Sequence, residues 1–320
     1  MEFSLKEVYK DYFRIGAAVN TESVDTCKDI ILKHFNSITC ENAMKFAETE
    51  PEEGRFTFGD ADKIYGFAKE NNIPVRGHNF VWHHAMPDWI FKNTDREGLL
   101  KRLENHIKAL TERYPDLYCW DCINEGIEDG EGYLRKTPWL DIIGEDYFEQ
   151  VFAVAAKYVD KSLFYNDYNE FDTVKRKKII QKVREVKEKG IRIDGIGLQC
   201  HLGLNLKFDI DEVKRGIEEY ASLGYKLQIT EHDVSNYPYE DREIHLAPTF
   251  EAYKKQTKTF KEFFSVLRTY RNEIESVTFW GVADDTSWLN YFPVEGRKNG
   301  GLLFDENHEP KEGFYAICDF

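Results

Sequence analysis

Short apolar runs alternate with amphipathic helices about eight times and without a linker, which predicts an α/β chain folded as one (β/α)8 (TIM) barrel domain over residues 1–320. Three observations carry this expectation. The apolar runs are nearly continuous in aliphatic, aromatic and β-branched residues, as in a parallel sheet covered on both faces. Each leads through a polar turn into a segment of helical periodicity. No glycine-rich phosphate turn follows the first run, which counts against a doubly wound open sheet, the main rival.

In chain order, the strand candidates are residues 13–19, 37–40, 74–82, 118–125, 162–166, 195–201, 226–231 and 276–282. The first helix between them, 60–71, starts with Asp60, a residue type suited to N-capping. The next, 99–113, sets Leu100, Leu103, Ile107 and Leu110 on one stripe. Residues 146–159, 173–189, 210–223 and 250–271 keep the same spacing. Gly190 and Gly224 fall just past helix ends, where left-handed caps are wanted. The basic stripe from Lys175 to Lys189 reads as a solvated face.

Composition narrows the function classes. A hydrophobic share of 42% with 32% charged residues suits a globular chain with a sizeable core. The net charge of −15 argues against nucleic acid and anionic membranes as partners. The first eight residues, Met1 to Val8, are charged and amphipathic without a secretory core, so the expected location is cytoplasmic unless a leader has been trimmed. Six cysteines in a chain this long make no disulfide framework. Cys119 and Cys122 form a C-x-x-C inside a strand, where residues three apart face opposite ways, so neither zinc nor redox use is expected. His78, His83 and His84 invite a metal reading, but alternation turns His83 away from His78. No metal and no cofactor are expected.

In such a barrel the chemistry gathers at the C-terminal ends of the strands. Those ends carry Glu41-Asn42, His78 to Trp82, Asn124-Glu125, Asn166-Asp167, Gln199 to His201, Glu231 to Asp233, and Trp280. Glu125 and Glu231 each close an apolar run, among groups able to hydrogen-bond. A buried carboxylate is costly unless partnered, and two carboxyls in different surroundings are what glycoside hydrolysis requires.

The motifs are Trp120-Asp-Cys-Ile-Asn-Glu125, Ile229-Thr-Glu-His-Asp-Val234, Glu41-Asn-Ala-Met-Lys45 with Glu50-Pro51, Gly77-His-Asn-Phe-Val-Trp-His83, Tyr165-Asn-Asp-Tyr-Asn169, Gly195-Ile-Gly-Leu-Gln-Cys-His201, and Phe279-Trp-Gly281 with Ser287-Trp288. Taken in their order along the chain, these seven motifs resemble glycoside hydrolase family 10, the endo-β-1,4-xylanases, from about residue 13 to residue 304. The resemblance implies a retaining hydrolase of xylan or xylo-oligosaccharides, with Glu125 as acid/base and Glu231 as nucleophile. It places Glu41, Asn42, Lys45 and His78 around the glycone sugars and makes Trp82, Trp280 and Trp288 the walls and stacking platforms of the cleft. It also makes Asn124 the donor to the 2-hydroxyl of the −1 sugar, and Gln199 and His201 further substrate-binding residues, with Tyr168 on the +1 side. Asp233 and His201 are expected to hold Glu231 ionised and oriented. A retaining β-1,4-glucanase and a non-catalytic xylo-oligosaccharide-binding protein are the alternatives. Imported oligosaccharides are the expected natural substrate.

Three departures from the family pattern stand out. Ala85 sits where a glutamine is usual, so one sugar hydrogen bond is missing or is supplied by His84. His232 replaces an apolar residue beside Glu231, to shift its protonation or to face outward. Gly300 and Gly301 are expected to widen the glycone end.

Overall fold

The computed structural model describes residues 3–204 and 209–320, so Met1 and Glu2 of the N-terminal segment lie outside the described residues. Eight parallel strands form the centre: β1 (Arg14–Val19), β2 (Ser37–Cys40), β3 (Val75–Gly77), β4 (Cys119–Asn124), β5 (Ser162–Asp167), β6 (Gly195–Leu198), β7 (Lys226–Val234) and β8 (Ile274–Phe279). Each pairs with the next, and β8 pairs back onto β1, which closes the expected barrel. The predicted runs 74–82 and 195–201 are each interrupted. Val81–Trp82 is a separate two-residue strand on β4, after a cis peptide joining His78 and Asn79. His201–Leu202 is another on β7, after Cys200 at φ 58°.

The barrel interior is partly polar. Arg76 on β3 donates to Gln228 on β7 at 2.8 Å and to Asp121 on β4 at 2.5 Å. β3 and β7 are not neighbours, so these fully buried side chains meet across the inside of the barrel. A buried charge requires such compensation, and the Arg76–Asp121 pair beneath the mouth supplies it. Around the barrel, the apolar faces of the strands and the covering helices form one continuous core.

Two bulges adjust the strands that position the glutamates: β4, which stops at Asn124 just before Glu125, and β7, which runs on past the predicted end at Glu231 to Val234. Between Asp121 and Ile123, β4 advances two residues while β5 advances one. Between Ile229 and His232, β7 advances three while β8 advances two. An extra residue in one strand changes which face later side chains occupy. Consecutive residues Thr230 and Glu231 therefore both reach Asn166, each at 2.7 Å.

The predicted helices are present as Gly59–Glu70, Arg96–Arg113, Tyr147–Tyr158, Thr173–Glu188, Ile210–Ala221 and Phe250–Thr269. Gly190 and Gly224 adopt φ 72° and 75°, as expected. Three details differ. Asp60 does not cap its helix; it lies in the first turn, where its charge still opposes the helix dipole favourably. The buried stripe of Arg96–Arg113 uses Leu99 in place of Leu100, with His106 among its members. The basic stripe is solvated only in part, because Lys175, Arg176 and Lys182 are buried against acids from other elements. Short helices at Lys28–His34, Pro138–Ile143 and Glu312–Cys318 fall outside the expected set; their few turns carry little periodicity. All six cysteines are free and buried. No helix among the described residues is long and apolar enough to cross a membrane.

Candidate active site

The strand ends open into one cleft of about 760 Å³. Its lining holds Glu41, Asn42, Lys45, His78, Trp82, Asn124, Glu125, Tyr168, Gln199, His201, Glu231, Trp280 and Trp288, so every predicted side chain except the supporting Asp233 lines a single cavity. Asp233 sits behind it and touches two lining residues.

Glu231 is positioned from both sides. Asn166 at the end of β5 donates to Oε1 at 2.7 Å, and His201 Nε2 lies 3.3 Å from Oε2. His201 Nδ1 in turn lies 3.0 Å from Asp233 Oδ2, which also accepts from Trp288 Nε1 at 2.8 Å. Burial alone would raise the Glu231 carboxyl. The hydrogen bond from His201 and the positive fields of His78, His201 and Lys45 outweigh it and hold the group at about 2. Burial works against the His201 cation as well, but the Asp233 and Glu231 carboxylates bring its pKa up to about 10. His201 is therefore an imidazolium at neutral pH and donates from both nitrogens.

Glu125 meets different conditions. Its backbone turns left-handed at φ 59° as the chain leaves β4, with its N–H held by the Asn166 carbonyl at 2.9 Å. Gly126 follows because a Cβ there would lie 2.6 Å from the Phe148 ring. Burial raises the Glu125 carboxyl above the ordinary range, and the charges of Asp167 and Glu231 push the same way against the hydrogen bond from Gln199. Gln199 Nε2 lies 3.1 Å from both Glu125 Oε1 and Asn124 Oδ1. Asn124 Oδ1 accepts from Asn166 at 2.8 Å, so a continuous hydrogen-bonded chain joins the two glutamates. One carboxyl is held toward its ionised form and the other is shifted toward its protonated form within the same cleft, the division that acid-assisted nucleophilic displacement needs.

Beside Glu231, Lys45 Nζ donates to Asn42 at 2.7 Å and lies 4.5 Å from the centre of the Trp82 ring. Glu41 accepts from Asn20 at 3.1 Å. His78 Nδ1 is 2.8 Å from Asp121, and its ring meets Trp280 edge-on at 5.2 Å. Trp288 stacks on Phe292 with 5.3 Å between ring centres. On the Glu125 side, Tyr168 donates to Asp129, and Arg135 donates to the Tyr168 hydroxyl at 2.8 Å. Lys175 bridges Asp129 and Asp167 at 2.8 Å each, which is why this lysine is buried.

The departures resolve differently. His232 neither faces outward nor reaches Glu231. It is fully buried among Phe260, Phe263 and Phe279, with Nδ1 donating to the Cys200 carbonyl at 3.0 Å. Burial holds its pKa down at about 4, so it stays neutral. Gly300 and Gly301 do not widen the cleft: a Cβ on Gly300 would meet Tyr253 and Pro248, and one on Gly301 would meet Leu289, all behind the wall. They are small because the chain packs closely there. His84 does line the cleft, while the Ala85 carbonyl accepts from the Ala47 N–H at 3.1 Å.

Asn166 was visible only as a strand-end polar residue, and its link to both glutamates requires the register. Tyr239, Glu240 and Phe292 also line the cleft from loops, where periodicity gives no signal. Two groups among the described residues bring three metal-ligating atoms within 4.8 Å of one another: His83 with His84 and Glu125, and Cys27 with Asp285 and His308. His78 belongs to neither. Burial holds His83 at about 3, so its imidazole is neutral.

The family model for glycosyl hydrolase family 10 matches residues 4–320. This chain belongs to that family. It is 45% identical over 325 residues to an endo-1,4-beta-xylanase of Geobacillus stearothermophilus, covering 99% of this chain and 98% of the relative. A crystal structure of a xylanase from Paenibacillus barcinonensis, complexed with a conduramine derivative, superposes with a TM-score of 0.95 at 44% identity and covers 98% of both chains. A mutant in complex with xylotriose superposes with a TM-score of 0.96 at 42% identity over 100% of both chains. Within this family 10 chain, His201 is the lever on Glu231. His201→Asn should move the acidic limb of the kcat/KM profile up from about 2 toward the ordinary 4.5. An unmoved limb would show that His201 does not hold the carboxylate. In stability, the Glu231 contribution is present above 4.5 and lost as pH falls through about 2. The His201 contribution is present below 6.5 and lost as pH rises through about 10.

Proposed function

We propose that this chain is an endo-β-1,4-xylanase that cleaves xylan or xylo-oligosaccharides with retention of configuration. Glu231 attacks the anomeric carbon while Glu125 protonates the departing oxygen. Glu125 then takes a proton from the water that releases the sugar from Glu231. The observation that carries this reading is the opposed shift of two carboxyls in one cleft, Glu231 lowered to about 2 and Glu125 raised by burial.

The surroundings support the same roles. Once Glu231 is esterified its negative charge is gone, so Glu125 loses a neighbour that favoured its proton, its pKa falls, and it is more readily left ionised to accept a proton from water. Asn124, fixed by Asn166 and Gln199, is set to donate toward the 2-hydroxyl of the sugar that Glu231 attacks. Trp82, Trp280 and Trp288 offer aromatic faces to the apolar faces of pyranose rings, and Glu41, Asn42, Lys45 and His78 offer polar groups to their edges. The names of the relatives and the xylotriose in a structural neighbour support xylose as the sugar.

Aryl β-xylobioside and aryl β-cellobioside separate xylan from glucan chemistry. The expected result is a kcat/KM at least roughly tenfold higher for the xylobioside, the scale on which a pocket discriminates one extra small group. A preference for the cellobioside would assign a β-1,4-glucanase instead. Binding of xylotetraose without cleavage would assign a sugar-binding protein.

A further inference from the structure

Cys27, Asp285 and His308 come together outside the lining of the catalytic cleft, although Asp285 shares a second, adjoining pocket with Glu41, Asn42 and Trp288. Cys27 precedes the helix Lys28–His34 and is buried at 1% exposure. Asp285 lies in the short turn Asp284–Thr286, directly before Ser287 and Trp288. His308 sits at φ 67° in the turn bracketed by the Phe304–Pro310 bridge. His308 Nε2 is 3.5 Å from Cys27 Sγ and 3.0 Å from Asp285 Oδ2. One nitrogen thus faces two partners, and a single N–H cannot point well at both. A cation at their centre would satisfy sulfur, nitrogen and oxygen together.

We propose that Cys27, His308 and Asp285 form a site for a thiophilic divalent cation of the zinc class, with one coordination position open to water. Tetrahedral zinc at its usual bond lengths separates sulfur from nitrogen by about 3.6 Å and nitrogen from oxygen by about 3.4 Å. The first spacing is already present, and the second needs an opening of a few tenths of an ångström. The donor set of thiolate, imidazole and carboxylate suits zinc and excludes magnesium and calcium. Access exists: the His308 and Asp285 side chains are 29% and 32% exposed above the buried sulfur. Thr26 Oγ1 lies 3.7 Å from Cys27 Sγ and donates its proton to the Glu22 carbonyl at 3.1 Å. Binding breaks the S–H bond, forms the metal–sulfur bond and releases one proton to solvent, while His308 carries its proton on Nδ1. The bound cation would pin the loop that presents Trp288 to segments 281 residues apart in sequence.

Cobalt(II) titration of the full chain, purified reduced and metal-free, tests this independently of the xylanase reading. One equivalent should produce a near-ultraviolet thiolate-to-cobalt absorption, and zinc should displace it. The band should vanish in Cys27→Ser and weaken in His308→Ala. A hundredfold excess of zinc over its Kd should raise the Tm by roughly 5 °C, and Asp285→Asn, a half-exposed change that spares the core, should lower that shift. Cobalt binding without a thiolate band would place the ion elsewhere, at His83 and His84 for example, and overturn the proposal. So would a band or a melting shift that persists in both Cys27→Ser and His308→Ala.

Discussion

Glu231→Gly is expected to lose hydrolysis by roughly 10⁴–10⁶-fold, the scale seen when a covalent nucleophile is removed, and to recover turnover of an activated aryl xylobioside when azide is added. Glycine leaves room where the carboxylate stood. An azide ion there attacks the same face of the anomeric carbon, so the product is the α-xylosyl azide, inverted with respect to the substrate. The surroundings favour rescue, because Lys45 and the His201 imidazolium still present positive charge to an incoming anion. No rescue, or a β-azide, would remove Glu231 from the nucleophile role. The anomeric configuration is read directly by proton NMR.

Glu125→Ala gives the complementary pattern. Without the proton donor, cleavage of unactivated xylo-oligosaccharides should fall by about 10²–10⁴-fold, the usual contribution of general acid catalysis. An aryl xylobioside with a good leaving group needs no proton, so its first step should survive and the glycosyl ester should accumulate as a burst. Azide then enters from the side that Glu125 vacated and yields the β-azide, the opposite anomer to the Glu231 variant. The alkaline limb of the pH profile should also disappear, since Glu125 is active with its proton on and loses it as pH rises. Equal losses on activated and unactivated substrates would contradict the assignment.

Much of this site was legible before any coordinates because a barrel delivers strand ends to one mouth. Recognising where each apolar run stops on a polar residue was enough to collect Glu41, His78, Asn124, Gln199, His201 and Trp280 in a single cleft. The two bulges were not legible. A bulge is a mismatch between paired strands, and the partners of Asp121 and Ile229 lie far away in sequence. They matter nonetheless, since the phase change in β7 lets Gln228 support Arg76 inside the barrel while Glu231 and Asp233 serve the cleft.

Charge on a helix misled for a related reason. Lys175 belongs to a run that looks solvated, yet Asp167 at the end of β5 and Asp129 in the loop after β4 arrive to bury it. Nothing local marks that meeting. Gly300 and Gly301 misled in the opposite sense. A small residue near a site suggests space, but here Tyr253 and Leu289 already fill the volume a side chain would take. His232 was readable only as an oddity, and its aromatic enclosure explains both its burial and its neutral state.

The claim on which the rest depends is that Glu231 forms a covalent bond to the sugar. A 2-deoxy-2-fluoro-xylobioside with a good leaving group tests it most directly, because the fluorine slows release of the ester and lets it be weighed. Intact mass should rise by one fluoro-xylobiosyl group per chain, and proteolytic mapping should place that mass on Glu231. A label on any other residue, or complete turnover through an inverted product with no adduct, would contradict the account.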